Sequence, residues 1–263
     1  MSNLKVPTMA EMTAAGEKPD YLFWVGCAGS FDDRAKKITK AIVKILNHCD
    51  VSFAVLGTEE SCTGDPAKRS GNEFLFQMQA MMNIQVMEAY EVTKIVTGCP
   101  HCFNTLKNEY PELGGKYEVL HHTQLIQTLI ESGKLKIEGG GEFKGKKITF
   151  HDPCYLGRAN GEYEAPRALI KKLDAELVEM KRCKSKGLCC GAGGAQMFKD
   201  AEKGNKEINV ERTEDALEVK PSIIATGCPF CNTMMTDGVK NFNKEEEVEV
   251  IDIAEMIATA ADL

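Results

Sequence analysis

The segments Thr97-Gly-Cys-Pro-His-Cys102 and Thr226-Gly-Cys-Pro-Phe-Cys231 are one phrase written twice, 129 residues apart. Each follows a short β-branched run, Lys94-Ile-Val-Thr97 and Ser222-Ile-Ile-Ala-Thr226. That order reads as a strand turning sharply into a helix, with two thiols carried on the turn. Upstream, Cys27 matches Cys154 at an offset of 127, and Ser61-Cys62 is set against Cys189-Cys190 at an offset of 128. Landmarks that drift by only two residues over half the chain mark an internal duplication.

The intervening elements repeat as well. In each copy an apolar strand (22–25; 147–150) runs into the first cysteine and then a helix. The helix over 32–48 carries Ile38, Ala41, Ile42, Ile45 and Leu46 at helical spacing behind acidic residues. A second strand (51–56; 177–180) precedes the second cysteine group, and a long helix follows (71–90; 205–217). The C-P-x-C pair opens a further helix (103–110; 232–241). A strand and an amphipathic helix close each copy (117–120 with 123–131; 248–251 with 253–260). Such alternation predicts parallel α/β layers, whose ligands bind beyond the carboxyl ends of the strands. All three cysteine groups of each copy fall there. The Phe74–Phe76 and Met78–Met82 positions fit the buried face of the long helix. The acidic run Glu245–Glu247 reads as a solvated loop.

The 263 residues are 43% hydrophobic and 27% charged, ordinary globular values that exclude a disordered or collagen-like chain. No apolar run approaches the ~18 residues that span a bilayer, and the first twenty residues lack the apolar centre of a secretory signal. The net charge of -7 argues against a nucleic-acid partner. Eleven cysteines are therefore expected to be reduced and to serve metal or redox chemistry rather than disulfides.

A C-P-x-C turn places two thiolates where they can grip one metal centre, as zinc sites and redox pairs both do. In the second copy five cysteines converge: Cys154, Cys189, Cys190, Cys228 and Cys231. Five exceed the four that a zinc site or an ordinary cubane requires, and adjacent cysteines readily serve different irons of an extended cluster. Gly191, Gly193 and Gly194 let backbone approach inorganic sulfide and donate N–H bonds to it. The first copy offers four thiols, Cys27, Cys62, Cys99 and Cys102, with Ser61 in place of the fifth. Four suit a conventional [4Fe–4S] cluster or zinc. His101, His151 and Asp152 are candidates for orienting the cluster loops; no catalytic residue is assigned. Cys49 and Cys183 read as packing residues, and His121-His122 as strand-end residues. Lys68, Arg69 and Arg158 read as solvated surface charges, with attraction of an anion as the alternative.

The pattern Cys154…Cys189-Cys190-Gly191…Cys228-Pro-Phe-Cys231 resembles the CCG-domain iron–sulfur proteins, typified by the B and D subunits of heterodisulfide reductase. The resemblance covers residues 20–263. It implies an α/β fold of two tandem pseudo-symmetric Rossmann-like CCG repeats with clusters at the strand C-terminal ends. The boundaries are an arm or partner-docking tail over 1–20, a four-cysteine domain over 21–140 with the Ser61 variation, and a five-cysteine domain over 141–263. It also implies a non-cubane [4Fe–4S] cluster on the five second-copy cysteines. Glu59-Glu-Ser-Cys-Thr-Gly-Asp-Pro66, Gly71-Asn-Glu-Phe74 and His151-Asp-Pro-Cys-Tyr-Leu-Gly-Arg158 are closer to the carboxy-terminal region of membrane iron–sulfur oxidoreductases linked to electron-transfer flavoprotein.

By that resemblance the chain is an electron-transfer subunit between a flavoprotein, such as electron-transfer flavoprotein, and a ferredoxin-type iron–sulfur membrane protein feeding quinone. It would be cytoplasmic and peripheral at the inner membrane face only through that partner. The alternatives are a disulfide or thiol reductase acting at the non-cubane cluster, a component of lactate or glycolate oxidation, and a zinc-stabilised scaffold.

Overall fold

The computed structural model describes residues 4–200 and 203–263. Beyond residues 1–3, the segment expected as a docking tail lies on the chain's own first sheet. Thr8 bridges to Val55, and α1 (Met9–Ala14) begins at a capping box in which Thr8 and Glu11 satisfy each other's backbone N–H groups. Met9 is buried with Leu22 and Trp24.

The first repeat runs β1 (Tyr21–Trp24), α2 (Gly26–Phe31), α3 (Ala35–His48), β2 (Phe53–Ala54), α4 (Asp65–Arg69), α5 (Glu73–Ala89), β3 (Lys94–Thr97), α6 (Pro100–Asn104), β4 (Glu118–His121) and α7 (His122–Glu131). The second runs β5 (Lys147–Phe150), α8 (Glu164–Lys172), β6 (Glu176–Leu177), α9 (Ile208–Glu218), β7 (Ile223–Thr226), α10 (Pro229–Asn241), β8 (Glu249–Asp252) and α11 (Ile253–Ala260). Both sheets are wholly parallel and share one order, β2-β1-β3-β4 and β6-β5-β7-β8. The chain leaves the central pair of strands in opposite directions, which opens a crevice between their carboxyl ends. Cys27 and Cys99 flank that crevice in the first repeat, Cys154 and Cys228 in the second.

The expected helix over 32–48 divides in two. Asp32 turns out of α2 in extended backbone, and its carboxylate then accepts the Ala35 N–H at 2.7 Å to start α3. The stripe Ile38, Ala41, Ile42, Ile45 and Leu46 is buried as its spacing predicts. That stripe shares one core with Leu169, Ile170, Ile253 and Ile257 of the second repeat, so the halves are joined by continuous apolar packing. Polar ties reinforce the joint. Arg34 pairs with Glu255 at 2.8 Å, and His121 Nε2 donates to the Gly227 carbonyl at 3.0 Å while Nδ1 meets the Thr123 hydroxyl at 2.7 Å. His121 is thus a fastener between repeats rather than a bare strand end. His121→Ala should cost about 1–3 kcal/mol from the stranded carbonyl alone, read by denaturant titration.

The long helix α5 departs from expectation. Phe76, Ala80, Asn83, Ile84 and Met87 face inward, whereas Phe74, Leu75, Met78, Met81 and Met82 are exposed. Apolar residues surround this helix, so periodicity alone does not orient it. The buried stripe is the one holding Asn83, whose carboxamide binds the loop before α4.

Candidate metal centres

In each repeat three loops at the carboxyl ends of the strands bring the cysteines together. Cys27 lies just inside α2, while Cys99 and Cys228 stand immediately before α6 and α10. Pro100 and Pro229 open those helices without losing a needed donor, and the exposed N–H groups of a helix start favour thiolate. In the first repeat the free thiols of Cys27 and Cys62, and those of Cys99 and Cys102, lie within hydrogen-bonding reach of each other, and the two pairs face one another. In the second, Cys154, Cys189, Cys190, Cys231 and Cys228 form a chain of free thiols, each within hydrogen-bonding reach of the next. All nine expected thiols therefore fall into two sets. The sets touch, because the thiols of Cys99 and Cys228 lie within hydrogen-bonding reach across the repeats. Cys49 packs in the core beside α3, and Cys183 lies beside Glu179; neither joins a set.

The thiols polarise one another. The Cys27 thiol donates to Cys62 and draws it down to about 7, and Cys154 and Cys190 likewise hold Cys189 well below the ordinary thiol range. Cys190 is pushed up to about 12, chiefly by its bond to Cys189.

The structure changes the match between the repeats. Gly64 N–H donates to Cys62 Sγ at 3.4 Å, and Gly191 N–H donates to Cys189 Sγ at 3.3 Å. Both glycines take the left-handed turn, with φ of 87° and 93°, that allows this bond. Cys62 thus corresponds to Cys189, at the same offset of 127 that relates Cys27 to Cys154. Thr63, not Ser61, stands where the second repeat has its additional cysteine, Cys190. The signal was present in the sequence as Cys62-Thr-Gly64 against Cys189-Cys-Gly191. Ser61 turns away, its hydroxyl donating to Asn83 Oδ1 at 2.8 Å.

Of the three glycines, Gly191 supplies an N–H to sulfur, and Ala192 supplies another, to Cys190. Gly193 passes close to the His101 ring, and Gly194 bends with φ of 69°. His101 bridges the halves. Its Nδ1 lies 2.9 Å from Asp65 Oδ2, and its ring meets Tyr155 and Phe230 edge-on at 4.7 and 5.4 Å. Burial opposes its protonation, yet the Asp65 hydrogen bond and the Cys99 thiolate raise its pKa.

His151 is fully buried and accepts from Arg212 Nε at Nδ1, 2.9 Å away. Its proton is therefore on Nε2, which has no hydrogen-bond partner among the described residues. A ring nitrogen of His151 and the sulfurs of Cys190 and Cys231 lie within 4.8 Å of one another. Trp24, at the corresponding position of the first repeat, also buries an N–H without a partner among the described residues, in the apolar cluster that includes Cys99 and Cys102. The orphaned His151 donor beside clustered thiols fits a bound group rich in acceptors, which inorganic sulfide supplies.

Several supports surround the thiols; of these Asp152 is a candidate from the sequence, whereas Arg167, Glu60 and Asn83 carry no signal there. Asp152 is held bidentately by Arg167 at 2.7 and 2.9 Å and accepts the Lys184 N–H at 2.7 Å, fixing the Cys154 loop. Glu60 clamps the Cys27 loop through the Val25 and Gly26 N–H groups at 3.0 and 2.6 Å; burial lifts its pKa to about 7. Asn83 holds Tyr110 and the Cys62 carbonyl, both at 3.0 Å. Lys68 and Arg69 pair with Glu109 and Asp65, and Arg158 donates to the Gly187 carbonyl, so these cations are engaged within the fold. A cavity of about 350 Å³, lined by Phe31, Met197, Phe198 and Phe230, reaches Cys27 between the repeats.

Two parallel α/β repeats with thiol clusters beyond their strands define a duplicated cysteine-rich domain. The chain belongs to the CCG cysteine-rich domain family, whose sequence profile matches residues 21–107 and 148–236. It is 48% identical over 255 residues to FadF of Bacillus subtilis, named a probable iron-sulfur-binding oxidoreductase, covering 97% of this chain and 36% of that one. It is 44% identical to the EtfAB:quinone oxidoreductase of Syntrophomonas wolfei, covering 94% and 35%. It is also 33% identical to the D subunit of the dihydromethanophenazine:CoB–CoM heterodisulfide reductase of Methanosarcina barkeri, covering 94% and 60%. The chain thus spans little more than a third of the first two relatives. Among solved structures, the glutamate racemase of Francisella tularensis is similar at 15% identity and a TM-score of 0.37, covering 92% of this chain and 78% of that one; so loose a likeness says nothing of activity. Among the described residues no helix is long and apolar enough to cross a membrane.

Proposed function

We propose that this chain is the iron–sulfur electron-transfer part of a heterodisulfide-reductase-like oxidoreductase. It relays electrons between a flavoprotein of the electron-transfer flavoprotein kind and a membrane iron–sulfur partner that feeds quinone. The observation that carries this reading is the approach of Cys99 to Cys228, which sets the two thiol sites side by side across the repeats. The relatives, an iron-sulfur-binding oxidoreductase, an EtfAB:quinone oxidoreductase and a heterodisulfide reductase subunit, support the same class of chemistry. Cys154, Cys189, Cys190, Cys228 and Cys231 would hold a non-cubane [4Fe–4S] cluster, and Cys27, Cys62, Cys99 and Cys102 a conventional one. Such clusters, when bound, supply one-electron transfer. The protein's own groups hold the thiols in place, with the His151 N–H beside the second site. Hydrogen bonds to cluster sulfur tune the reduction potential, and outer partners such as Arg212 fix the ring that makes them.

Anaerobic loading with iron and sulfide should give a brown protein whose visible absorbance bleaches on mixing with reduced electron-transfer flavoprotein. Absorbance that stays constant at every mixing time would overturn the relay. Loading by zinc alone, without acid-labile sulfide, would return the site to a scaffold. The cavity reaching Cys27 is also lined by Pro229 and Phe230 of the second C-P-x-C turn, and favours one further reading, a disulfide reductase acting at the non-cubane cluster. In that case a disulfide should perturb the paramagnetic spectrum of the oxidised protein, and an unchanged spectrum across a disulfide panel removes the idea.

A further inference from the structure

We infer that Thr63 decides the type of cluster in the first repeat, by presenting a hydroxyl where Cys190 presents a thiol. The inference rests on the iron–sulfur reading above and concerns one side chain within it. The correspondence is geometric. Cys62 and Cys189 make the same bond to the glycine two residues on, and each accepts from the first cysteine of its repeat, Cys27 or Cys154. Thr63 and Cys190 follow them on the same turn and are 2% and 3% exposed. Each points at the last cysteine of its own C-P-x-C pair. The Thr63 hydroxyl lies 4.0 Å from Cys102 Sγ, and the Cys190 sulfur lies within hydrogen-bonding reach of the Cys231 thiol.

The two groups differ in what they offer iron. A thiol ionises near neutrality and is a soft ligand suited to iron–sulfide cores. An aliphatic hydroxyl holds its proton and remains a donor, so it directs O–H at a thiolate or sulfide rather than binding iron. The first site is thereby limited to four thiolates, with a hydrogen bond where the second has its fifth sulfur. Ser61 has no part in this, because its hydroxyl is bound to Asn83.

The test uses the full chain, purified without oxygen and loaded with the Mössbauer isotope of iron. The wild type should show two iron populations of equal weight, one resembling a symmetric four-thiolate cluster and one with additional inequivalent irons. Thr63→Cys should convert the first population into a copy of the second, and Cys190→Thr should do the reverse. Ser61→Ala should leave both populations as they are. Should Thr63→Cys fail to load its first site, Cys190→Thr decides alone: conversion of the second population supports the inference, and an unaltered spectrum overturns it. Iron-loaded Thr63→Cys with a wild-type spectrum also overturns it, as does a Ser61→Ala spectrum with a changed first population. Wild-type protein that takes up neither iron nor sulfide defeats the underlying iron–sulfur reading instead, which keeps the two failures distinct.

Discussion

Arg167→Met should destabilise the protein by about 3–5 kcal/mol, the usual cost of removing one member of a buried ion pair. Arg167 and Asp152 are 3% and 4% exposed at their side chains. The guanidinium donates twice to Asp152, reaches Glu179 at 2.6 and 2.9 Å, and donates to the Tyr163 carbonyl at 2.9 Å. Methionine roughly fills the volume but strands the Asp152 carboxylate without its countercharge. The cost is therefore dominated by the aspartate left behind. Adding Asp152→Asn in the same chain should recover part of it, because the stranded charge is gone and the Lys184 N–H keeps an acceptor. Chemical denaturation of the metal-free chain measures both variants. Equal stability of Arg167→Met and the wild type would mean that Asp152 does not depend on this pair. Since Asp152 lies two residues before Cys154, the single variant should also load less iron at the second site.

Phe76→Ala should cost about 3–5 kcal/mol, whereas Met81→Lys and Met82→Lys together should stay within about 0.5 kcal/mol per substitution of the wild type. These residues share a helix and similar hydrophobicity, so propensity does not separate them. Phe76 is 2% exposed, and Met81 and Met82 are 51% and 57% exposed. The Phe76 ring lies under the left-handed turn at Gly64, so tightly that a Cβ placed there would stand 2.8 Å from the ring, and Lys68 covers its face at 4.3 Å. Truncation leaves a cavity directly beneath Cys62-Thr63-Gly64. Loss of iron from the first site should accompany the loss of stability. A thermal melt beside an iron assay separates the two faces, and a large penalty for the methionine variants would show that their side chains are held against the protein rather than in water.

Much of the architecture can be read from the chain. Tight strand-to-helix turns with two thiols need a fixed local spacing, so the duplication survives as two C-P-x-C phrases and a regular alternation of strands and helices. Strands 94–97 and 147–150 and the helix over 253–260 fall where their patterns put them. The central strands and amphipathic helices carry a period, and a period is visible in sequence. Cys62-Thr-Gly64 is visible as well, since its offset equals that of the first cysteines; the neighbouring Ser61-Cys62 masks it by imitating a cysteine pair with one member replaced.

The sequence by itself determined two α/β copies and nine cysteines at the ends of their strands, because local spacing encodes turns and periodicity encodes burial. Only the tertiary structure decided which face of α5 is covered, because an apolar helix without a polar side has no preferred orientation until Asn83 finds its partners. It alone joined Cys99 to Cys228, Arg167 to Asp152 and His121 to Gly227, since a contact between distant residues leaves no repeat for the eye to find. It alone showed Thr63 turned inward and Ser61 turned away: neighbouring side chains on a turn point in different directions, and the φ of the glycine beside them sets which one faces the sulfurs.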